Sequence, residues 1–71
     1  MNNPTTGESI TRLITNTWQA LDYSKQALAV LDMWTSSLTD EDEMESCRVA
    51  AVDTLLREAV AYLEKVKEVS A

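Results

Sequence analysis

Apolar residues recur at alternating spacings of three and four in two long stretches, which a short polar segment separates. The first stretch covers about residues 6–35 and has three adjacent apolar rows. The rows are Ile10, Leu31 and Leu38, with Thr17 and Ser24 between them; Leu13, Ala20, Ala27 and Trp34; and Ile14, Leu21 and Leu28. This spacing is typical of an amphipathic α-helix, and a repeat nearer 3.5 than 3.6 residues predicts a left-handed supercoil.

The second stretch covers about residues 40–69 and again has three apolar rows. They are Val52, Ala59 and Val66; Leu55, Tyr62 and Val69; and Val49, Leu56 and Leu63. Asp53 and Arg57 stand four residues apart, and we predict an ion pair between them on the outer face of this helix. No segment alternates with a period of two, so the pattern predicts no strand.

The polar segment between the stretches predicts a turn at about residues 36–39. Thr39 is a good helix N-cap, with Asp42 three residues later, although Ser37 is an alternative cap. The carboxylates of Asp40, Glu41, Asp42 and Glu43 would then meet the positive end of the second helix dipole. Residues 1–5 are predicted to form a flexible arm.

Two helices of similar length joined by a short turn predict an all-α fold, an antiparallel two-helix hairpin spanning residues 1–71 as one domain. A chain of 71 residues has little core, and its single cysteine, Cys47, cannot form an internal disulfide. Apolar stripes three rows wide exceed what one hairpin can cover. We therefore predict a homodimer that forms a four-helix bundle, with a different protein as the alternative cover.

The formal net charge of −6 argues against direct binding to nucleic acid or to an anionic membrane. It is compatible with a protein partner, which we predict. The chain has no run of about 18 apolar residues and begins without the features of a signal peptide, so we expect no membrane span and a cytoplasmic location.

Catalytic, cofactor and metal sites are not predicted. Histidine is absent, and the only glycine is Gly7, so imidazole chemistry and a phosphate-binding loop are excluded. The acidic run at residues 40–45 lacks the glycine of a calcium-binding loop. Cys47 is interpreted as a small core residue. These observations predict a protein that is not an enzyme.

Eight residues are candidates for partner binding. They are the apolar group Tyr23, Val30, Met33 and Trp34, and the acidic group Asp40, Glu41, Asp42 and Glu43. Aromatic residues and Met are enriched in interface cores, which favours partner binding by the apolar group. The alternative is that these four residues line the dimer seam or are individually exposed. For the acidic group, the alternative is a solvated helix start. Trp18 is interpreted as a core residue.

Two apolar helices of similar length, without a recognisable set of catalytic or ligand-binding residues, favour a small acidic protein that acts as an interaction or regulatory module. The alternative hypothesis is an acidic inhibitor or antitoxin-like protein that masks a basic, nucleic-acid-binding surface of its partner. A third possibility is a carrier that holds a small ligand inside a bundle, since Ala20, Ser24, Ala27 and Ala59 are small.

Overall fold

A computed structural model describes residues 6–70, which form two α-helices, α1 (Thr6–Ser37) and α2 (Glu43–Ser70). The helices pack against each other, and residues 6–70 contain no strand. Lys25 pairs with Glu64, and Asp32, seven residues further along α1, pairs with Arg57, seven residues back along α2. The helices are therefore antiparallel, which confirms the predicted all-α hairpin. The predicted arm at residues 1–5 lies outside the described part.

The helix bounds differ from the predicted ones near the turn, which occupies residues 38–42 instead of 36–39. The hydroxyls of Ser36 and Ser37 donate back to the carbonyls of Asp32 and Trp34, so both serines continue α1 instead of capping a new helix. Thr39 and Asp42 close a separate turn, in which the Asp42 amide donates to the Thr39 carbonyl at 2.9 Å. That turn delays the start of α2 to Glu43.

The predicted pairing of Thr39 with Asp42 is present, but their roles differ from a Thr39 cap. Asp42 Oδ2 accepts the Thr39 amide at 3.0 Å and the Thr39 hydroxyl at 3.1 Å. The Asp42 carbonyl accepts the Ser46 amide at 2.8 Å, the first bond of the α2 ladder. Asp42 therefore occupies the N-cap position, and its carboxylate fixes the preceding turn.

The two helices meet along a seam that contains the buried side chains Leu21, Leu31 and Val49. We use "seam" for the buried and half-buried heptad positions of the hairpin, namely residues 14, 17, 21, 24, 28 and 31 of α1 and residues 46, 49, 53, 56, 60 and 63 of α2. Thr17 is buried among them, and its hydroxyl donates to the Leu13 carbonyl at 2.7 Å, so it leaves no unsatisfied donor.

Three sequence interpretations are wrong. Asp53 does not lie on the outer face: it occupies the second seam row of α2 with Ser46 and Val60, and its Oδ1 atom is buried without a hydrogen bond. Cys47 is exposed and not a core residue, because it lies outside the seam rows. Trp18 is 44% exposed at the edge of the seam.

Candidate functional site: an apolar face of the hairpin

One side of the hairpin is closed by charged residues that reach across the seam, and we call it the ion-pair side. Lys25 Nζ lies 2.9 Å from Glu64 Oε1, and Arg57 Nη2 lies 3.7 Å from Asp32 Oδ1. Arg57 also contacts Asp53 Oδ2 of its own helix through Nε, at 2.8 Å, so the predicted Asp53–Arg57 pair is confirmed. These residues flank the seam on the same side of each helix.

Hydrogen bonding dominates the electrostatics of the ion-pair side. The hydrogen bond from Lys25 lowers the pKa of Glu64, with a further contribution from the charges of Lys25 and Lys67. The hydrogen bond to Asp53 raises the pKa of Arg57, assisted by the charges of Asp53 and Asp32. Because the pairs are largely exposed, water and salt screen them, and each adds little to stability.

The opposite side of the hairpin is exposed and largely apolar, apart from Asn16 of α1 and from Glu45 and Arg48 at its turn end, and we call it the apolar face. Its inner rows flank the seam, and its outer rows lie one step further from it. The inner rows are Leu13, Ala20, Ala27 and Trp34 of α1 and Val52, Ala59 and Val66 of α2; the outer rows contain Tyr23 and Val30 of α1 and Leu55, Tyr62 and Val69 of α2. An exposed apolar patch of this extent is unusual for a soluble monomer.

A cavity of about 190 Å³ lies between the helices at the turn end of the apolar face. Its lining comprises Leu31, Trp34, Glu45, Arg48, Val49 and Val52. Trp34 of α1 and Val52 of α2 therefore face the same opening, which establishes that the two inner rows lie on one side of the hairpin. The cavity is large enough to receive an apolar side chain from a molecule packed on the face.

The predicted partner-binding residues fall in three places. Tyr23, Val30 and Trp34 lie in the apolar face and are exposed, whereas Met33 is exposed on the back of α1 beside it. The acidic residues Asp40–Glu43 lie in the turn and at the start of α2. Within that group the carboxylate of Asp42 is occupied by its bonds to Thr39.

Sequence reasoning did not select Leu13, Leu55, Tyr62 and Val69 as partner-binding residues, because their rows were expected to lie within a shared core. A signal was available in α2. Residues 52, 55, 59, 62, 66 and 69 alternate by three and four and so form a second complete heptad stripe beside the seam. A helix with two parallel apolar stripes can pack on two helices, and within the hairpin α2 packs on α1 alone.

Formal charge is distributed unevenly along the hairpin. Residues 22–56, which we call the turn half, run from the middle of α1 to the middle of α2 and contain eight carboxylates and two cations, a side-chain charge of −6. The remaining residues, the distal half, contain four carboxylates and four cations, which cancel. The whole net charge therefore lies in the half that contains the turn.

Within residues 6–70, no group of three or more Cys, Asp or Glu side chains is arranged to hold a metal ion. Neither α1 nor α2, over the part of the chain described, has a stretch long and apolar enough to cross a bilayer. No protein-family model matches the chain, and neither a curated protein nor a solved structure is significantly similar to it.

Proposed function

We propose that this protein is a non-enzymatic interaction module whose apolar face binds a second copy. The product is a homodimeric four-helix bundle, which then acts as a regulatory or docking partner of another protein. One observation carries the proposal: the apolar face is exposed from Leu13 to Trp34 on α1 and from Val52 to Val69 on α2. By contrast, the seam buries only three apolar side chains to less than a tenth of their exposed area.

The size of the apolar face supports this proposal. A helix of 28 residues is about 42 Å long, and packed helices lie about 10 Å apart, so two helices offer a face of roughly 800 Å². A standard stable interface buries about 800 Å² on each partner. The face alone thus matches the area that a stable dimer needs, and covering it supplies the burial that a small hairpin lacks.

The test is the molar mass in solution, measured by light scattering over a range of concentrations, for two matched pairs of variants. Ala27→Glu and Ala59→Glu place a charge in the inner rows of the apolar face. Ala29→Glu and Ala61→Glu make the same substitution two residues later, at exposed positions on the other side of each helix. All four variants exchange an exposed helical alanine for glutamate, so the change in helix propensity is the same in each of them.

We expect the wild type and both controls to have twice the chain mass and the face variants to have the mass of one chain. A stable, folded wild-type monomer would refute the dimer. Equal masses for both members of each pair would show that association, if present, uses another surface.

The second candidate function, an acidic inhibitor of a basic nucleic-acid-binding partner, is favoured by the charge of −6 in the turn half. The triple variant Asp40→Asn, Glu41→Gln, Glu43→Gln removes three exposed charges and keeps Asp42, which holds the turn. A matched triple variant, with the substitutions Asp22→Asn, Glu58→Gln and Glu68→Gln, removes three charges outside the turn. If the protein is such an inhibitor, it captures a partner that added nucleic acid displaces, and only the first triple variant loses this capture. Equal capture of the partner by both triple variants would reject the inhibitor function.

A further inference from the structure

We infer that the two copies of the proposed dimer pack with their turns at opposite ends of the bundle. This inference rests on the proposed function, because it concerns the second copy that covers the apolar face. It also specifies how the second copy is oriented: the turn half of each copy packs against the distal half of the other.

Two symmetric arrangements allow the apolar faces to meet. A two-fold axis along the helices places both turns at one end and stacks α1 of one copy on α2 of the other. A two-fold axis across the helices places the turns at opposite ends. It stacks α1 of one copy on α1 of the other, and α2 on α2. The same face is buried in both cases, so burial alone does not select between them.

Charge selects the second arrangement. With both turns at one end, two halves of −6 would lie side by side across a gap of about 10 Å, comparable to the Debye length of about 8 Å at physiological ionic strength. With turns at opposite ends, each turn half lies against a neutral distal half, which supplies the cations Arg12, Lys65 and Lys67. Like charges at close range disfavour a pairing, whereas the reversed pairing avoids them.

The sizes of the side chains also fit a reversed copy. The inner row of α1 reads Leu13, Ala20, Ala27, Trp34, with large residues at its ends and alanines in its middle. Reversal stacks the alanines of one copy near those of the other, where the backbones can approach closely. It also brings Leu13 of one copy to the other copy's cavity beside Trp34. In α2, the order Val52, Ala59, Val66 is unchanged by reversal, so each valine of one copy stacks near a valine of the other.

The exposed Cys47 provides the test, because it is the only cysteine and lies near the turn. We would attach a nitroxide spin label to it and measure the distance between labels in the full-length protein by pulsed electron paramagnetic resonance. Turns at opposite ends place the two labels about 40 Å apart, from the rise of 1.5 Å per residue to the middle of α2. Turns at one end place them about 25 Å apart, the diagonal of a four-helix bundle plus the labels.

A control label near the middle of α2 separates a failure of the orientation from a failure of the dimer. The double variant Cys47→Ser, Ala61→Cys moves the label by two heptads along the row that contains residues 47, 54 and 61, away from the apolar face. At that level both arrangements give a short distance of about 25 Å. A long distance at Cys47 with a short one at Ala61→Cys supports the inference. Short distances at both overturn it and leave the proposed dimer intact, and no defined distance at either overturns both.

The affinity of the dimer gives an independent measurement. Removal of three charges by Asp40→Asn, Glu41→Gln, Glu43→Gln would relieve repulsion only if the turns lay together. We expect the dimer dissociation constant, measured by sedimentation equilibrium at low salt, to stay unchanged or to rise. A clearly lower dissociation constant in the triple variant than in the wild type would overturn the inference.

Discussion

The two sides of the hairpin flank the same seam at equivalent heptad positions, yet they are built from different residues. On the ion-pair side, Lys25 and Asp32 of α1 reach Glu64 and Arg57 of α2. On the apolar face, short or apolar side chains occupy the matching positions and leave both helices open. In the proposed dimer, the flanking rows, more than the seam, determine how many helices pack together. The charged flanks close the pair within one hairpin, whereas the apolar flanks would be covered by the helices of the second copy.

The largest expected effect comes from the seam, on which both sides depend. Leu21 is 1% exposed, and Leu21→Ala should lower the free energy of unfolding by about 2–5 kcal/mol, because it removes buried methyl groups and leaves a cavity. Denaturant unfolding followed by circular dichroism measures the change. Leu55→Ala sharpens the comparison, since Leu55 is 71% exposed in the hairpin. A loss of about 1–2 kcal/mol there indicates a covered face, whereas a loss near zero contradicts one.

The two tryptophans report on one side each. Trp18 lies on the ion-pair side and Trp34 on the apolar face, with exposed fractions of 44% and 45% in the hairpin. In the single-tryptophan variants Trp34→Phe and Trp18→Phe, we expect acrylamide quenching of Trp34 to fall several-fold as the protein concentration rises, with Trp18 unchanged. Equal protection of both would contradict the proposed difference between the sides.

Asp53 allows the seam itself to be improved. Its Oδ1 atom is buried without a partner, so Asp53→Leu should raise the free energy of unfolding by about 1 kcal/mol, through added apolar burial and removal of an unsatisfied acceptor. Asp53→Asn is the control, because it weakens the pair with Arg57 without adding apolar area, and it should be slightly destabilising. A lower free energy of unfolding for Asp53→Leu than for the wild type would show instead that the carboxylate is needed in the seam.

The smallest effect is expected on the ion-pair side. Lys25 lowers the pKa of Glu64 in the folded state, so the pair contributes stability above the unfolded carboxyl pKa, near 4.3. The contribution is lost as the pH falls through the lower, folded pKa. Thermal unfolding of Glu64→Gln should therefore show a slightly lower melting temperature than the wild type at neutral pH and no difference in acid. A difference that persists in acid would contradict the assignment.

Much of the fold follows from the spacing of apolar residues. The rows at 3.5-residue intervals predict both helices, and Thr39 with Asp42 marks the turn, because a hydroxyl and a carboxylate three residues apart can share hydrogen bonds across it. The Asp53–Arg57 contact also follows from the helical repeat. These features depend on neighbours within a few residues, for which local geometry is sufficient.

Assignment of the seam could not be made in the same way. Three adjacent apolar rows on each helix leave several choices of facing rows, and the second row of α2 is obscured by the polar residues Ser46 and Asp53. Pairing of Lys25 with Glu64 depends on the stagger between helices, which a single helix pattern does not contain. Of the predicted partner-binding residues, Tyr23, Val30 and Trp34 lie in the apolar face, whereas the sequence pattern assigns the α2 residues of that face to a core.

The turn has a consequence for how this chain can change over evolutionary time. No residue of the described backbone has a positive φ, so the connection between the helices requires no glycine and tolerates most L-amino acids. The shape of the connection depends on the Asp42 carboxylate, which is bonded to Thr39. Several other short polar side chains can accept the same hydrogen bonds. We expect homologues to diverge most freely at the exposed residues 40 and 41 while they keep the heptad intervals, so that they would share spacing more than identity.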